Sequence, residues 1–183
     1  MRRVGAFFSE TKGNVMRTIF VVHGPMEVPF YRGKAARTIT DDNVKEFWRK
    51  HPEIGKKRGC YVFGIRASKG YRVGYVGRAT KSFKGETFSP HKLTRYQQFL
   101  ADYLAGTPVL FFLALPQSKG KPNLSAISTL EAFLIQVGLA ANPDLLNVRG
   151  TRKEEWAIGG VLRARRGKPS ASAIAFRKMM KMS

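Results

Sequence analysis

Cysteine is almost missing from this 183-residue chain, which carries one, Cys60. A single thiol excludes an internal disulfide and any zinc site built on several cysteines, and it suits a reducing compartment, so a cytoplasmic location is expected. Long apolar runs are missing as well. The longest, Val109 to Leu115, falls far short of the roughly 20 residues that a membrane-spanning helix needs. The stretch Val4 to Phe8 is too short for the apolar region of a secretory signal. Acidic residues are scarce: 12 Asp+Glu stand against 33 Lys+Arg, for a formal net charge of +21. What is present in ordinary measure is hydrophobic content, 43%, with 11% aromatic, enough buried surface to offset chain entropy and to disfavour disorder. The length suits one domain with a real core.

A charge of this size implies a polyanionic partner, either nucleic acid or an anionic membrane surface. Its distribution separates the two. Residues 1–58, 59–149 and 150–183 each carry a net +7, so the charge covers the whole body instead of forming a detachable tail. That pattern favours gripping a long anion over membrane anchoring, and no membrane partner is expected. Charge alone leaves a structural RNA binder level with a DNA enzyme.

Patterning then divides the chain. Thr18 to Val22 reads as a strand, Gly24-Pro25 as a turn, and Val28 to Tyr31 as a further extended piece. Thr40 or Asp41 caps a helix whose Val44, Phe47 and Trp48 share a face and which Pro52 ends. Gly59 to Arg66 alternates, with Tyr61, Phe63 and Ile65 on one face; Ser68-Lys69-Gly70 turns the chain, and Tyr71 to Gly77 returns with Tyr71, Val73 and Tyr75 on one face. A loop from Arg78 to Ser89 leads to a helix with Ser89 as cap and Pro90 first, carrying Leu93, Tyr96, Leu100 and Leu104 on one stripe. Thr107 to Leu115 is a strand covered on both faces, and Ser125 caps a helix to about Ala140 with Ile127, Leu130, Leu134 and Ile135 inward, stopped by Pro143. The tail adds a strand near Trp156 to Ile158 and an amphipathic helix from about Ser170 to Met180, with Ala173 and Phe176 inward and Arg177, Lys178 and Lys181 outward. The expected class is α/β or, more narrowly, α+β: a small β-β-α-β-α sheet flanked by helices over 59–149, with a basic β-hairpin and helix extension at 1–58 packed on it and a basic strand and helix extension at 150–183.

Two features carry chemistry. Glu131 is the only charged residue between Lys121 and Asp144, and none of its i±3 or i±4 neighbours is basic. A carboxylate so placed requires a positive partner from elsewhere, either an arginine on another element or a divalent metal. The second feature is the hairpin, where Tyr61 and Tyr75 occupy equivalent places beside Gly59 and Gly77.

Together these pieces resemble the GIY-YIG nuclease family. Gly59-Cys60-Tyr61 stands for its first motif and Tyr75-Val76-Gly77 for its second; Lys92 and Tyr96 follow on a helix, Glu131 on a later one, and Pro143 with Asn147 match the family's end segment. The resemblance spans about residues 59–149, half of the chain. It implies metal-dependent hydrolysis of DNA phosphodiester bonds, on double-stranded substrate, with Glu131 as the ligand of one Mg²⁺ or Mn²⁺. By the same resemblance Tyr61 or Tyr75 takes the proton from the attacking water, and Arg78 lowers a tyrosine pKa or binds phosphate. Tyr96 follows Lys92 by one helical turn. Asn147 fixes backbone near Glu131. The chain departs from the family in having Lys92 where relatives carry arginine, so the rigid bidentate fork is lost. Arg95 is the alternative on the same helix, the 78–89 loop is longer than usual, and His91 is a further proton carrier to weigh. Phosphate grip from outside the motif is expected of Lys56, Lys57 and Arg58 and of Arg163, Arg165, Arg166, Lys168, Arg177 and Lys178. A binding module of the same fold without catalysis is the alternative, and a structural RNA-binding protein a third. Restriction or defence is the favoured setting among the pathways, and the sequence is silent on oligomeric state.

Overall fold

A computed structural model describes residues 18–33, 37–68, 70–103, 105–116, 121–147 and 169–179. In chain order the elements are β1 (Val21–Glu27), β2 (Tyr31–Arg32), β3 (Arg37–Thr38), α1 (Asp41–Lys50), α2 (Pro52–Lys56), β4 (Gly59–Ala67), β5 (Gly70–Ala79), α3 (Phe83–Glu86), α4 (Pro90–Asp102), β6 (Thr107–Ala114), α5 (Leu124–Ala141) and α6 (Ala171–Met179). The architecture is mixed α+β. Four strands form one antiparallel sheet in the order β1-β6-β4-β5, and β2 pairs with β3 apart from it.

Alternation along β4 and β6 sends apolar side chains to both faces of the sheet. Tyr61, Phe63, Ile65, Leu110 and Phe112 pack against Phe47 and Trp48 of α1, Phe83 of α3 and Tyr96, Phe99 and Leu100 of α4. Cys60, Val62, Val76 and Leu113 face the other way, toward Ile127, Leu130, Leu134 and Ile135 of α5. The sheet therefore lies between two helical layers. Each fully buried aromatic contributes about 1.5–3 kcal/mol, so the aromatic-rich α1/α3/α4 side is the main source of stability.

The structure alters the expected face of one strand. Phe63 pairs with Tyr75 but Gly64 pairs with Val73, so Gly74 is an extra residue, a bulge. Tyr71 and Val73 consequently share the α5 side with Val62, while Tyr75 stands beside Phe63 on the opposite side; the three do not lie on one face. Only glycine fits at the bulge, because a Cβ on Gly74 would sit 2.5 Å from the Phe99 ring.

Other boundaries shift for local reasons. Gly24-Pro25 makes no turn between strands; it lies within β1, whose register with β6 slips between His23 and Met26. Thr40 caps α1 as expected, its hydroxyl accepting from the Asn43 amide at 3.3 Å. Pro52, expected to end that helix, is also the first residue of α2. The 78–89 loop contains α3, capped by Ser82. The cap of α5 is Asn123, whose side chain accepts from the Ala126 amide at 3.0 Å, in place of Ser125; asparagine is at least as strong a cap and comes first in the chain. In α6, Ala173 is buried but Phe176, expected inward, is 37% exposed. Leu104, Trp156–Ile158 and Lys181 lie outside the described residues.

Two compact units result, Met1–Asn147 and Val148–Ser183. Residues 18–58 are thus more than an addition to the core. They supply β1, the Phe47–Trp48 pair and the buried Arg37, which donates to the carbonyls of Tyr103 and of Gly106 (2.5 Å) where α4 leads into β6. One helix among the described residues, α5, is long and apolar enough to cross a membrane, with a mean hydropathy of 1.6. Counting uninterrupted apolar residues missed it, since Ser128, Thr129, Glu131 and Gln136 interrupt the run. Part of its apolar surface serves the sheet, through Ile127 and Ile135.

Candidate active site

The outer edge of β5 is where the chemistry-bearing residues meet. Asn147 makes both hydrogen bonds of a neighbouring strand with one amide: Oδ1 accepts from the Val76 N–H at 2.9 Å and Nδ2 donates to the Val76 carbonyl at 2.8 Å. The Leu146 N–H donates to the Gly74 carbonyl (2.9 Å), and the buried Asn142 donates to the Val73 carbonyl (2.7 Å). The chain leaving α5 in this way fixes the strand that carries Tyr75, Gly77 and Arg78.

Tyr61 lies directly opposite Gly77 across the strands, and a Cβ on Gly77 would fall 2.4 Å from its ring. Glycine is required there for the ring to lie flat over β5. Tyr75 follows on the same face, its ring centroid 6.5 Å from that of Tyr61. The Lys92 ammonium stands 5.1 Å from the centre of the Tyr61 ring and donates to the Glu86 carbonyl at 2.6 Å. Arg78 projects to the α5 side, where Nη1 meets Glu131 Oε2 at 3.2 Å and Ser128 Oγ at 2.8 Å. Ser128 is three residues before Glu131, so one guanidinium spans a single helical turn.

The electrostatics bind these groups into one cluster. Burial raises the Glu131 carboxyl pKa, opposed by Arg78 and then Lys92. Burial lowers that of Lys92, against the pull of Glu86 and Glu131. Tyr75 is raised by burial and then by Glu131, while Arg95 acts in the opposite direction. Tyr61 is raised well above the ordinary phenol value, first by burial and then by Tyr96 and Tyr75. Its hydroxyl is buried without a hydrogen-bond partner of acceptable geometry, while the adjacent Tyr96 hydroxyl donates to the Thr87 carbonyl at 2.8 Å.

No protein-family model, curated protein or solved structure matches this chain. The arrangement itself must carry the functional reading.

Not every expected residue joins the cluster. Tyr61, Tyr75, Arg78, Lys92 and Glu131 do. Tyr96 is fully buried and stacked on Phe63 with centroids 4.1 Å apart, so it supports the cluster from beneath. Arg95 bonds Gln98 (3.3 Å) and acts on Tyr75 by charge alone. His91 is exposed and turned toward the Ser89 hydroxyl at 3.3 Å, taking the group expected to cap α4; none of its described contacts reaches the cluster. Gly59 has a φ of +144°, and a Cβ there would meet the Leu113 carbonyl at 2.0 Å, so the first motif's glycine lets β4 approach β6. Among the expected phosphate contacts, Lys56 is exposed and paired with Glu53 (2.7 Å), Lys57 reaches His23 (3.4 Å), and Arg58 donates to the Thr80 carbonyl (3.3 Å). Lys178 is exposed on α6. Arg163, Arg165, Arg166 and Lys168, and the side chain of Arg177, lie outside the described residues.

Sequence reasoning missed Ser128, Asn142 and the Glu86 carbonyl. Ser128 had a readable signal, a hydroxyl one helical turn before a lone carboxylate. Asn142 lay within the segment already singled out. A backbone carbonyl leaves no trace in a sequence.

Proposed function

We propose that this chain is a metal-dependent DNA endonuclease of the GIY-YIG type, acting on double-stranded DNA and belonging to a restriction or defence system. The observation that carries the reading is the convergence on one strand edge of Tyr61, Tyr75, Arg78, Lys92 and Glu131, which come from β4, β5, α4 and α5. A strongly basic chain needs no such gathering of two tyrosines, two cations and a half-buried carboxylate for adhesion alone. Perturbed titration within one cluster is a mark of reaction sites.

The chain's residues divide the work as follows. Arg78 and Lys92 attract the scissile phosphate and neutralise its non-bridging oxygens. Tyr75 is the better-placed proton acceptor: it is less buried than Tyr61, and Arg95 favours its ionised form. Tyr61, held between Gly77 and Lys92 with its hydroxyl buried, shapes the floor beneath Tyr75. Glu131 is the candidate ligand for Mg²⁺ or Mn²⁺. Arg78 takes Oε2, and no described residue bonds Oε1, which leaves an oxygen for a hard cation. One carboxylate fits Mg²⁺, which keeps several waters and draws its other oxygens from substrate phosphate. When bound, the ion supplies positive charge against the phosphate and the departing oxygen.

The test is nicking of supercoiled plasmid with Mg²⁺ or Mn²⁺. Glu131→Ala is expected to abolish cutting by at least 100-fold, about 2.7 kcal/mol of transition-state stabilisation at 1.36 kcal/mol per tenfold, while binding to DNA persists. Cutting that survives this substitution, or persists in chelator, removes the assigned role. One observation favours the second reading, a binding module without catalysis: Glu131 is already engaged by Arg78, and Lys92 by a carbonyl. That reading expects tight, salt-sensitive binding and no cleavage in any divalent metal.

A further inference from the structure

Lys57 differs from the neighbouring lysines in what it touches. Lys45, Lys50 and Lys56 each rest on a carboxylate one helical turn away, Asp42, Glu46 and Glu53. The Lys57 ammonium instead faces the imidazole Nε2 of His23, 34 residues earlier on β1, at 3.4 Å. With the ring neutral, Nε2 can accept from the ammonium, but the pair gives Lys57 no negative charge, unlike the carboxylates beside its neighbours. Around them is a cavity of about 200 Å³ whose walls are otherwise Val21, Ala114, Leu115 and Pro116. No carboxylate lines it among the described residues. Burial lowers the His23 pKa and Lys57 lowers it further, and no other charged group is described as acting on the ring. Glu27, the acid on β1 itself, is engaged by Arg66.

The position of this pair is set by the sheet. His23 pairs with Phe112, Phe112 with Tyr61, and Tyr61 with Gly77, so His23 stands in one cross-strand row with the tyrosine of the candidate active site and on the same face. Two strand spacings, about 10 Å, separate their backbones. On the same side of the row, Lys57 is tied to the site's own loop, its carbonyl accepting from the Phe83 N–H at 2.7 Å.

We propose that His23 and Lys57 form a second phosphate subsite, which holds a backbone phosphodiester of the substrate strand one or two nucleotides from the bond at the Tyr61–Tyr75 cluster. The inference rests on the nucleic-acid reading above for its choice of ligand. An arriving phosphate offers oxygens to both nitrogens at once, so the ammonium and imidazole stop competing and the ring gains a proton from solvent. Among the described residues only His23 and Lys57 bring polar side chains to the cavity; its other walls are aliphatic.

The decisive measurement uses the unsubstituted full chain. The chain has three histidines, His23, His51 and His91, so their ring NMR signals can be assigned one by one. In metal-free buffer with chelator, adding a short DNA duplex should raise the His23 pKa and leave His51 unmoved. Inorganic phosphate at the same phosphate concentration should do far less. A silent His23 overturns the subsite. An equal response to inorganic phosphate makes it a free-phosphate pocket and also overturns it. As a second measurement, Lys57→Ala should flatten the dependence of log Kobs on log salt by about one unit, the loss of one phosphate contact, with Lys50→Ala as the charge-matched control. Equal effects of the two substitutions overturn the proposal. Plasmid nicking is scored separately: a chain that cuts while His23 stays silent refutes the subsite alone, and one that never cuts yet shows the shift refutes the nuclease alone.

Discussion

The two edges of the sheet meet the same hazard by different means. An edge strand exposes unpaired N–H and C=O groups that invite pairing with another chain. On β5 the chain closes the edge from outside, with Asn142, Leu146 and Asn147 taking up the backbone groups of Val73, Gly74 and Val76. On β1 no further strand pairs with the edge among the described residues, and the edge is broken by Pro25, which has no N–H to offer, and by the register slip between His23 and Met26. Val21 and Val22 are 48% and 61% exposed there. The difference shows where geometry matters. The open edge needs only to be unattractive, whereas the closed edge holds Tyr75, Gly77 and Arg78 at fixed positions against α5.

The largest effect is expected from Gly77→Ala on the closed edge. The new methyl would overlap the Tyr61 ring, which is packed on Phe83 and Phe112 and has nowhere to go. Overpacking of this kind costs about 1–3 kcal/mol or more, and plasmid nicking should be lost along with it. A denaturant melt unchanged from the parent chain would show that the tyrosine is not held as described. Next comes Asn147→Ala, which strands a donor and an acceptor on Val76 and should cost about 1–3 kcal/mol in the same melt. If that variant melts normally, the edge is not sealed by this residue.

Glu131→Gln probes the charge at the closed edge and should have a smaller effect of opposite sign. Burial holds the folded-state pKa of Glu131 above its ordinary value even against Arg78 and Lys92. A raised carboxyl pKa means that ionisation at neutral pH opposes folding, and that this cost disappears as pH falls through the ordinary carboxylate range near about 4.3. The glutamine variant should therefore melt at or above the parent temperature at pH 7, and the gap should close in acid. A clear drop at pH 7 would instead make the ion pair structural. Smallest of all is Val22→Lys on the open edge, within about 0.5 kcal/mol of the parent. A larger loss would mean that this strand is covered after all.

Legibility followed range. The hairpin, the α1 cap and the start of α4 are written locally, in alternation at 59–66, in Thr40 and in Ser89-Pro90, and these stand. Glu131 could be singled out because it lacked a local partner, yet the choice between arginine and metal could not be made, since Arg78 lies 53 positions earlier and reaches it only once α5 packs on β5. The joining of β1 to the sheet was hidden for the same reason. Its partner strand β6 lies some 90 residues on, with Val21 opposite Ala114, so residues 1–58 read as an extension. The Gly74 bulge left no pattern because an unbroken alternation also fits Tyr71, Val73 and Tyr75.

That bulge makes β5 a strand with two phases. Up to Val73 its odd-numbered side chains belong to the α5 layer; from Tyr75 onward they belong to the aromatic layer. Drawing Gly74 into the ladder as an ordinary paired residue would leave every tyrosine, cation and carboxylate in the sequence unchanged. It would nevertheless force one half of the strand to turn over, sending either Tyr75 into the α5 layer or Val73 and Tyr71 into the aromatic one. The spelling of both motifs would survive intact, and the meeting of the two tyrosines need not. In this chain the register in which a strand pairs is as much a part of the candidate site as the side chains are.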